Sequence, residues 1–369
     1  MSGWVVRALW LAAACAGAGS AFASSGIAAP RPPRVIGIVG SGGGARLEPL
    51  DARTLAPVPG SWSLPVRWAP GPAVLSPSGE EVAVEVGGGG GPVLVVDAAT
   101  GRVEHRYENG GDTSSGLYWL AGDNAHARII AVGFNCAPAG GCGPELTVIG
   151  SGGSDDFGAG ETDASETLKE GVMLVFDPTS LDVYQDASRD IPIGLPRMSP
   201  SAPFGVVADV AHDRLFAISS AGLVAEIDHV AGRTSISYHA VDLNGQPFQA
   251  AWAGTGRIAL WGRDGLGMIN THTWTTQAVA AGVTGAVATP LGLAAWTTDP
   301  TSGLTIYRSD GSKRLQVLVG KPIRAVRAFR NFLYVDADGP YSVDLRTGKV
   351  FGPLANRARV VTPTLVPIP

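Results

Sequence analysis

Three cysteines in 369 residues leave little room for disulfide or thiolate chemistry. One of them, Cys15, lies in an apolar N-terminal stretch, so the remainder of the chain holds a single pair, Cys136 and Cys142. A disulfide-dense scaffold and a four-cysteine metal site are both excluded. Histidine is scarce as well: there are six, and none falls in a Glu/His motif of a metal-dependent hydrolase. Charged residues make up only 16% of the chain, with a formal net charge of −5 and no basic run. A mildly acidic chain with scattered charge is a poor partner for nucleic acid. The apolar run at 8–17 is too short to cross a membrane, so no membrane span is expected. No long stretch repeats its apolar residues with a helical period, which argues against an α-helical protein.

The sequence is instead rich in turns and short apolar strands. It has 51 glycines and 27 prolines beside 45% hydrophobic residues, a turn-rich β composition with enough apolar surface for a continuous core. The most informative stretch is Pro92-Val-Leu-Val-Val-Asp97-Ala-Ala-Thr100-Gly101-Arg-Val103. Val and Leu suit a pleated, buried strand. Asp97 can accept a hydrogen bond from the backbone N–H two residues on, Thr100 can do the same more weakly, and Gly101 can take a positive φ, so the chain reverses. Variants recur around Asp51, Asp177, Asp228, Asn270, Asp310 and Asp344. The copy Asp344-Leu-Arg-Thr347-Gly348 is the clearest. Most separations between anchors fall near the 40–50 residues of a four-stranded propeller blade. The interval from Asp97 to Asp177 is longer, at 177 − 97 = 80 residues, and holds one blade plus an insertion on this reading. Strand pairs precede the anchors, as in 73–86, 205–218 and 325–335, giving four strands per unit.

On these repeats the chain resembles the seven-bladed β-propeller superfamily, in particular divergent YVTN-type or quinoprotein-like repeat proteins. The resemblance covers roughly residues 34–365. It implies an all-β fold of seven four-stranded antiparallel blades, with a loop insertion at about 136–171 in the third blade. It leaves function open, because propellers host many unrelated activities.

Residues 1–23 read as a signal peptide, with Arg7, an apolar run and a small-x-small site at Ala21-Phe22-Ala23. A Pro-rich lead-in at 24–34 follows, and 35–369 form one propeller domain. The expected location is therefore secreted or at the cell surface. The first blade is one strand short, and the tail beginning Ala358-Arg-Val-Val is expected to supply the missing strand and close the ring. Five glycines at 87–91 read as a hairpin tip, since no helix with Lys-Ser/Thr follows them.

Candidate site residues are few, and no catalytic residue can be assigned. In an oxidising compartment Cys136 and Cys142 are expected to form a disulfide across a small exposed loop. Asp155, Asp156, Glu161 and Asp163 are weak candidates for Ca²⁺, whose sites need six to eight oxygens. Their spacing is not that of a formed calcium loop, so the leading expectation is no metal, no cofactor and a solvated acidic loop. His212, His229 and His272 fall at turns and read as surface residues. Trp68, Trp119, Trp252 and Trp296 read as packing between blades. The expected function is an exported, non-catalytic, monomeric propeller that binds a protein or polymer or acts as a scaffold. The alternative is a lactonase-like hydrolase or streptogramin-lyase-like enzyme with a divalent metal at the channel mouth.

Overall fold

The computed structural model describes residues 34–362, apart from 41–43, 67–71, 77, 88–90, 109–112, 120–128, 138–140, 151–152, 158–163, 168–172, 178–181, 186–192, 196, 199–203, 213, 231–232 and 244–247. The stretch 1–23 expected to be a leader, most of the Pro-rich lead-in, Trp68, Glu161 and Asp163 therefore lie outside the described residues. The described residues belong to one compact unit.

Among the described residues the strands form eight four-stranded antiparallel sheets, numbered here in chain order from the N-terminus. Sheets 2 to 8 are simple meanders in which each strand pairs with the next. Sheet 1 is different. It takes Arg34–Val39, Arg46–Asp51 and Leu64–Pro65 from the start of the chain and Ala358–Val361 from the end. Ile36 stands opposite Val361 and Val39 opposite Ala358. The tail thus supplies the inner strand of sheet 1, as the sequence leads one to expect.

The outer hairpin of each sheet shows why the anchor motif recurs. Asp97 Oδ1 accepts from Ala99 N at 3.0 Å, Thr100 N at 2.6 Å and Thr100 Oγ1 at 2.7 Å. Asp51 makes the same three bonds with Arg53 N, Thr54 N and Thr54 Oγ1. Asp344 accepts from Arg346 N and Thr347 N. The fifth residue of each anchor is left-handed: Leu55 at φ 54°, Gly101 at 73°, Trp274 at 54° and Gly348 at 71°. Gly101 has a second reason to lack a side chain, because a Cβ there would meet Trp62 Cδ2 at 2.4 Å. The residue after the anchor then bonds back to the inner hairpin of its own sheet. Ala98 N donates to Glu80 O, Thr271 N to Gly256 O and Leu345 N to Asn331 O. The side chain thus shapes the outer turn, and the backbone N–H beside it ties that turn to the inner one on the same face of the molecule.

Two sequence expectations need correction. The stretch 136–171 is not a loop insertion, because it contains most of a further sheet. Sheet 3 runs through Thr113–Trp119, Ile129–Ala137, Gly141–Gly150 and Gly153–Phe157, and sheet 4 begins at Ala164–Thr167. Sheet 3 escapes the repeat count because its outer strands end and begin on glycine, Gly150 opposite Gly153, with no Asp anchor. Eight sheets, not seven, follow from this. Asp228 is also not a turn residue: it lies within Leu223–Val230, opposite Arg214 and Ser235.

The core lies between the sheets. Leu117, Trp119 and Ile129 of sheet 3 pack with Val74, Ala83, Val93 and Val95 of sheet 2. Trp252 of sheet 6 stacks on Phe216 of sheet 5, centroids 5.6 Å apart and rings 8° from parallel. Leu47 and Leu50 of sheet 1 share a cluster with Phe329 and Phe332 of sheet 8 and Leu75 of sheet 2. Each of these side chains covers its neighbour sheet, so adjacent sheets stabilise one another rather than folding alone.

Candidate binding surface

The inner strands of neighbouring sheets touch one another from sheet 4 to sheet 8, and likewise from sheet 1 through sheet 2 to sheet 3. Sheets 8 and 1 are joined by Ser342 Oγ, which donates to Arg53 O, and by the apolar cluster already described. The inner strands surround an axis, and inner and outer hairpins share one face, the hairpin face.

Sheet 1 breaks the pattern on that face. Its two innermost strands, Ala358–Val361 and Arg34–Val39, come from opposite ends of the chain, so no hairpin links them. Beside this gap lies a cleft of about 290 Å³. Its walls come from three inner hairpins: Ser76 and Gly79 of sheet 2, Thr289 and Pro290 of sheet 7, and Phe329 and Arg330 of sheet 8. Arg330 is exposed, at φ 51°, with its guanidinium carbon 5.2 Å from the centre of the Phe329 ring. Its Nη2 reaches to 3.2 Å from where a Cβ on Gly79 would stand. The cleft walls contain hydroxyls, apolar groups and one guanidinium, with no carboxylate, imidazole or thiol. A second cleft of about 300 Å³ lies around the Arg263-Asp264 turn of sheet 6 and includes Asp242, Phe248 and Trp261.

Among the described residues an ionisable cluster lies on sheet 5, across its strands, and meets sheet 6 through Trp274. Arg214 donates to Asp209 Oδ2 at 2.7 Å and to Glu226 Oε1 at 3.1 Å. Asp209 is 1% exposed and also meets His212 Nδ1 at 2.8 Å. Burial, and then the charge of Glu226, push the Asp228 carboxyl above its usual range. Farther out, His239 Nε2 lies 3.0 Å from both Glu226 Oε2 and Ser237 Oγ. A serine, a histidine and a carboxylate in one place suggest a nucleophile, but the geometry does not supply one. In a catalytic triad the acid and the nucleophile use different ring nitrogens, so that the imidazole can pass a proton between its two sides. Here both use Nε2. The ring is also covered by Trp274, with centroids 3.7 Å apart and planes 8° from parallel. The cluster binds sheet 5 to sheet 6 and holds Trp274 in place.

The structure disperses most residues singled out from the sequence. Among the described residues no group of three or more His, Cys, Asp or Glu is placed to hold a metal ion. Asp155 and Asp156 lie at successive positions of the edge strand Gly153–Phe157, opposite Val148 and Thr147, rather than in a loop. His212 and His272 are exposed, and the side chain of His229 lies outside the described residues. Backbone register sets Cys142 directly opposite Cys136 on neighbouring strands of sheet 3. The arginines of the inner strands carried no sequence signal, since single arginines in apolar strands look ordinary.

No family model matches the sequence, and no curated protein matches it. Among solved structures, BamB from Moraxella catarrhalis matches with a TM-score of 0.52 at 17% identity, over 84% of this chain and 90% of that one. The fold is a β-propeller. A computationally designed protein, Ika8, matches with a TM-score of 0.48 at 12% identity, over 77% of this chain and 86% of that one. In propeller terms each sheet is a blade, and sheet 1 is the blade in which the two chain ends meet. Among the described residues no helix is long and apolar enough to cross a membrane.

Proposed function

We propose that the protein is an exported, non-catalytic β-propeller that acts as a binding or scaffold module through its hairpin face. The observation that carries this reading is the cleft beside the closing blade. Its walls offer the exposed guanidinium of Arg330 over the Phe329 ring and exposed Pro290, which can hold a ligand by charge and apolar contact, while Ser76 and Thr289 spend their hydroxyls on the turns. The lining holds no carboxylate, imidazole or thiol to act as general base or metal ligand, so its hydroxyls have no group to activate them. The partner class is a protein or polymer, and the chain works as a monomer of the divergent YVTN-type kind. The enzyme alternative needs His and carboxylates converging at a channel mouth. The ionisable groups that do converge are locked on blade 5 against Trp274 of blade 6.

Export rests on the leader at 1–23, and N-terminal sequencing of the protein from its producing cell should begin at Ser24. Under the same oxidising conditions Cys136 and Cys142 are joined. Opposed residues of an antiparallel pair have Cα atoms roughly 4.5–5.5 Å apart, within the range a disulfide spans. A photo-crosslinking residue placed at Pro290, which is exposed on the cleft wall, tests the binding face in the producing cell. A discrete crosslinked species from that position, but not from exposed Val319 on the opposite face, is the expected result. Equal crosslinking from both positions, or none from the cleft, contradicts the reading.

A further inference from the structure

Ring closure places Arg327 and Arg359, 359 − 327 = 32 residues apart in sequence, on the inner strands of neighbouring blades, whose Phe329, Val360 and Val361 share one apolar cluster. Arg327 is on the inner strand of blade 8, Ala325–Phe329, and Arg359 on the inner strand of blade 1, Ala358–Val361. Each stands two residues before the last residue of its strand. The corresponding positions of the flanking blades are apolar: Val287 in Gly285–Thr289 and Ala73 in Ala73–Leu75. Both arginines are exposed. Yet surrounding protein lowers the Arg327 pKa below the usual guanidinium range, and it lowers that of Arg359 together with the positive charge of Arg327. Both side chains stand on inner strands, so their exposure lies toward the axis of the ring rather than on its outer rim. Among the described residues Arg327 makes no salt bridge or hydrogen bond, and its cross-strand neighbour is Tyr334, not an acid. Arg324 and Arg330, both exposed, extend the positive lane to the two ends of the same inner strand. This concentration of one sign stands in a chain whose net charge is −5.

Two like charges side by side in a confined space repel one another, and that repulsion is relieved when an anion sits between them. We propose that Arg327 and Arg359 form an oxyanion-binding site in the central channel, with Arg324 and Arg330 guiding the ligand from either mouth. Guanidinium groups match carboxylate and phosphate oxygens in paired, charge-assisted hydrogen bonds, so the ligand chemistry is one of these oxyanions. The inference rests on the reading of the protein as a binding module and names what its centre holds.

The test is a titration of the mature chain, from Ser24, with sodium phosphate and, separately, with a hexaglutamate peptide. Thermal unfolding is followed against sodium chloride at matched ionic strength. The wild-type melting temperature should rise with at least one of the two ligands, because a ligand held only by the native state stabilises it. A response to phosphate alone identifies a free ion as the source. A response to the peptide alone identifies a carboxylate-bearing chain. In Arg327→Gln and Arg359→Gln the apparent affinity should fall about tenfold, whereas Arg314→Gln, on the exposed outer strand of blade 7, should leave it unchanged. Arg327→Lys keeps the charge but loses paired bonding, and should bind between wild type and the glutamine variant. Indifference of the wild-type melt to both ligands, or an equal loss in Arg314→Gln, overturns the site. That failure would leave the crosslink from Pro290 intact, so the two readings fall separately.

Discussion

At the residue scale the fold depends on a few side chains that replace water at turns. Asp97 replaces three backbone or hydroxyl hydrogen bonds at once. Asp97→Ala should therefore destabilise the protein by about 1–2 kcal/mol, measured by chemical denaturation. Hydrogen bonds from Thr100, first from its side chain and then from its backbone, hold the Asp97 carboxyl below its ordinary pKa. A depressed folded pKa stabilises the protein above the unfolded pKa and loses that contribution as pH falls through the folded value. Asp97→Asn, which keeps an acceptor, should flatten the acid limb of stability between about pH 4 and lower values. Glu81 has the opposite sign. It is 7% exposed, its Oε2 has no hydrogen-bond partner among the described residues, and burial raises its pKa above the usual value. Its ionised form opposes folding, so the penalty is absent in acid and sets in as pH rises through the carboxylate range. Glu81→Gln should raise the melting temperature at pH 7 and change it little near pH 3; a lower melt at pH 7 would contradict this. The Asp anchors could be read from sequence because Asp, Thr and Gly each have one local job there. The Arg214, Glu226 and His239 cluster could not, since its members meet only when strands pair and blades pack.

At the scale of strands and hairpins, legibility followed turn chemistry. Blades 1, 2 and 8 announce themselves by Asp-x-x-Thr followed by a left-handed residue. Blade 6 does so by Asn270, with Trp274 in the position glycine usually takes. The stretch 136–171 reads as a loop insertion in the third blade because a glycine-only junction at 150–153 resembles a linker, while the long strands Ile129–Ala137 and Gly141–Gly150, which carry Cys136 and Cys142, are interrupted by Pro144 and by glycines. Composition marks that stretch as glycine-rich but does not reveal its pairing, since register depends on partners that composition does not show. The opposed cysteines give that hairpin its own test. Thiol titration of the unfolded, unreduced mature chain should find no free thiol, and two after reduction. Two free thiols before reduction would remove the proposed disulfide.

At the scale of the whole molecule the decisive event is closure. Eight blades cover one another's apolar faces, and the last junction depends on four residues, Ala358–Val361, pairing with a strand more than three hundred residues earlier. The same event leaves the gap beside the cleft and sets Arg359 next to Arg327, so structure and proposed function share one cause. The tail's role was legible because the first blade lacked a strand. The arginine pair was not, because its meaning appears only once the ring is closed. The most direct test is thermal unfolding of the mature chain truncated before residue 356. Loss of the inner strand exposes the apolar edge of blade 1, including Ile36 and Ile38, and opens the ring. The melting temperature should fall by several degrees or the transition should lose its cooperativity. An unchanged melt would mean that the ring does not need the tail, and would contradict the closure on which the cleft and the arginine site both rest.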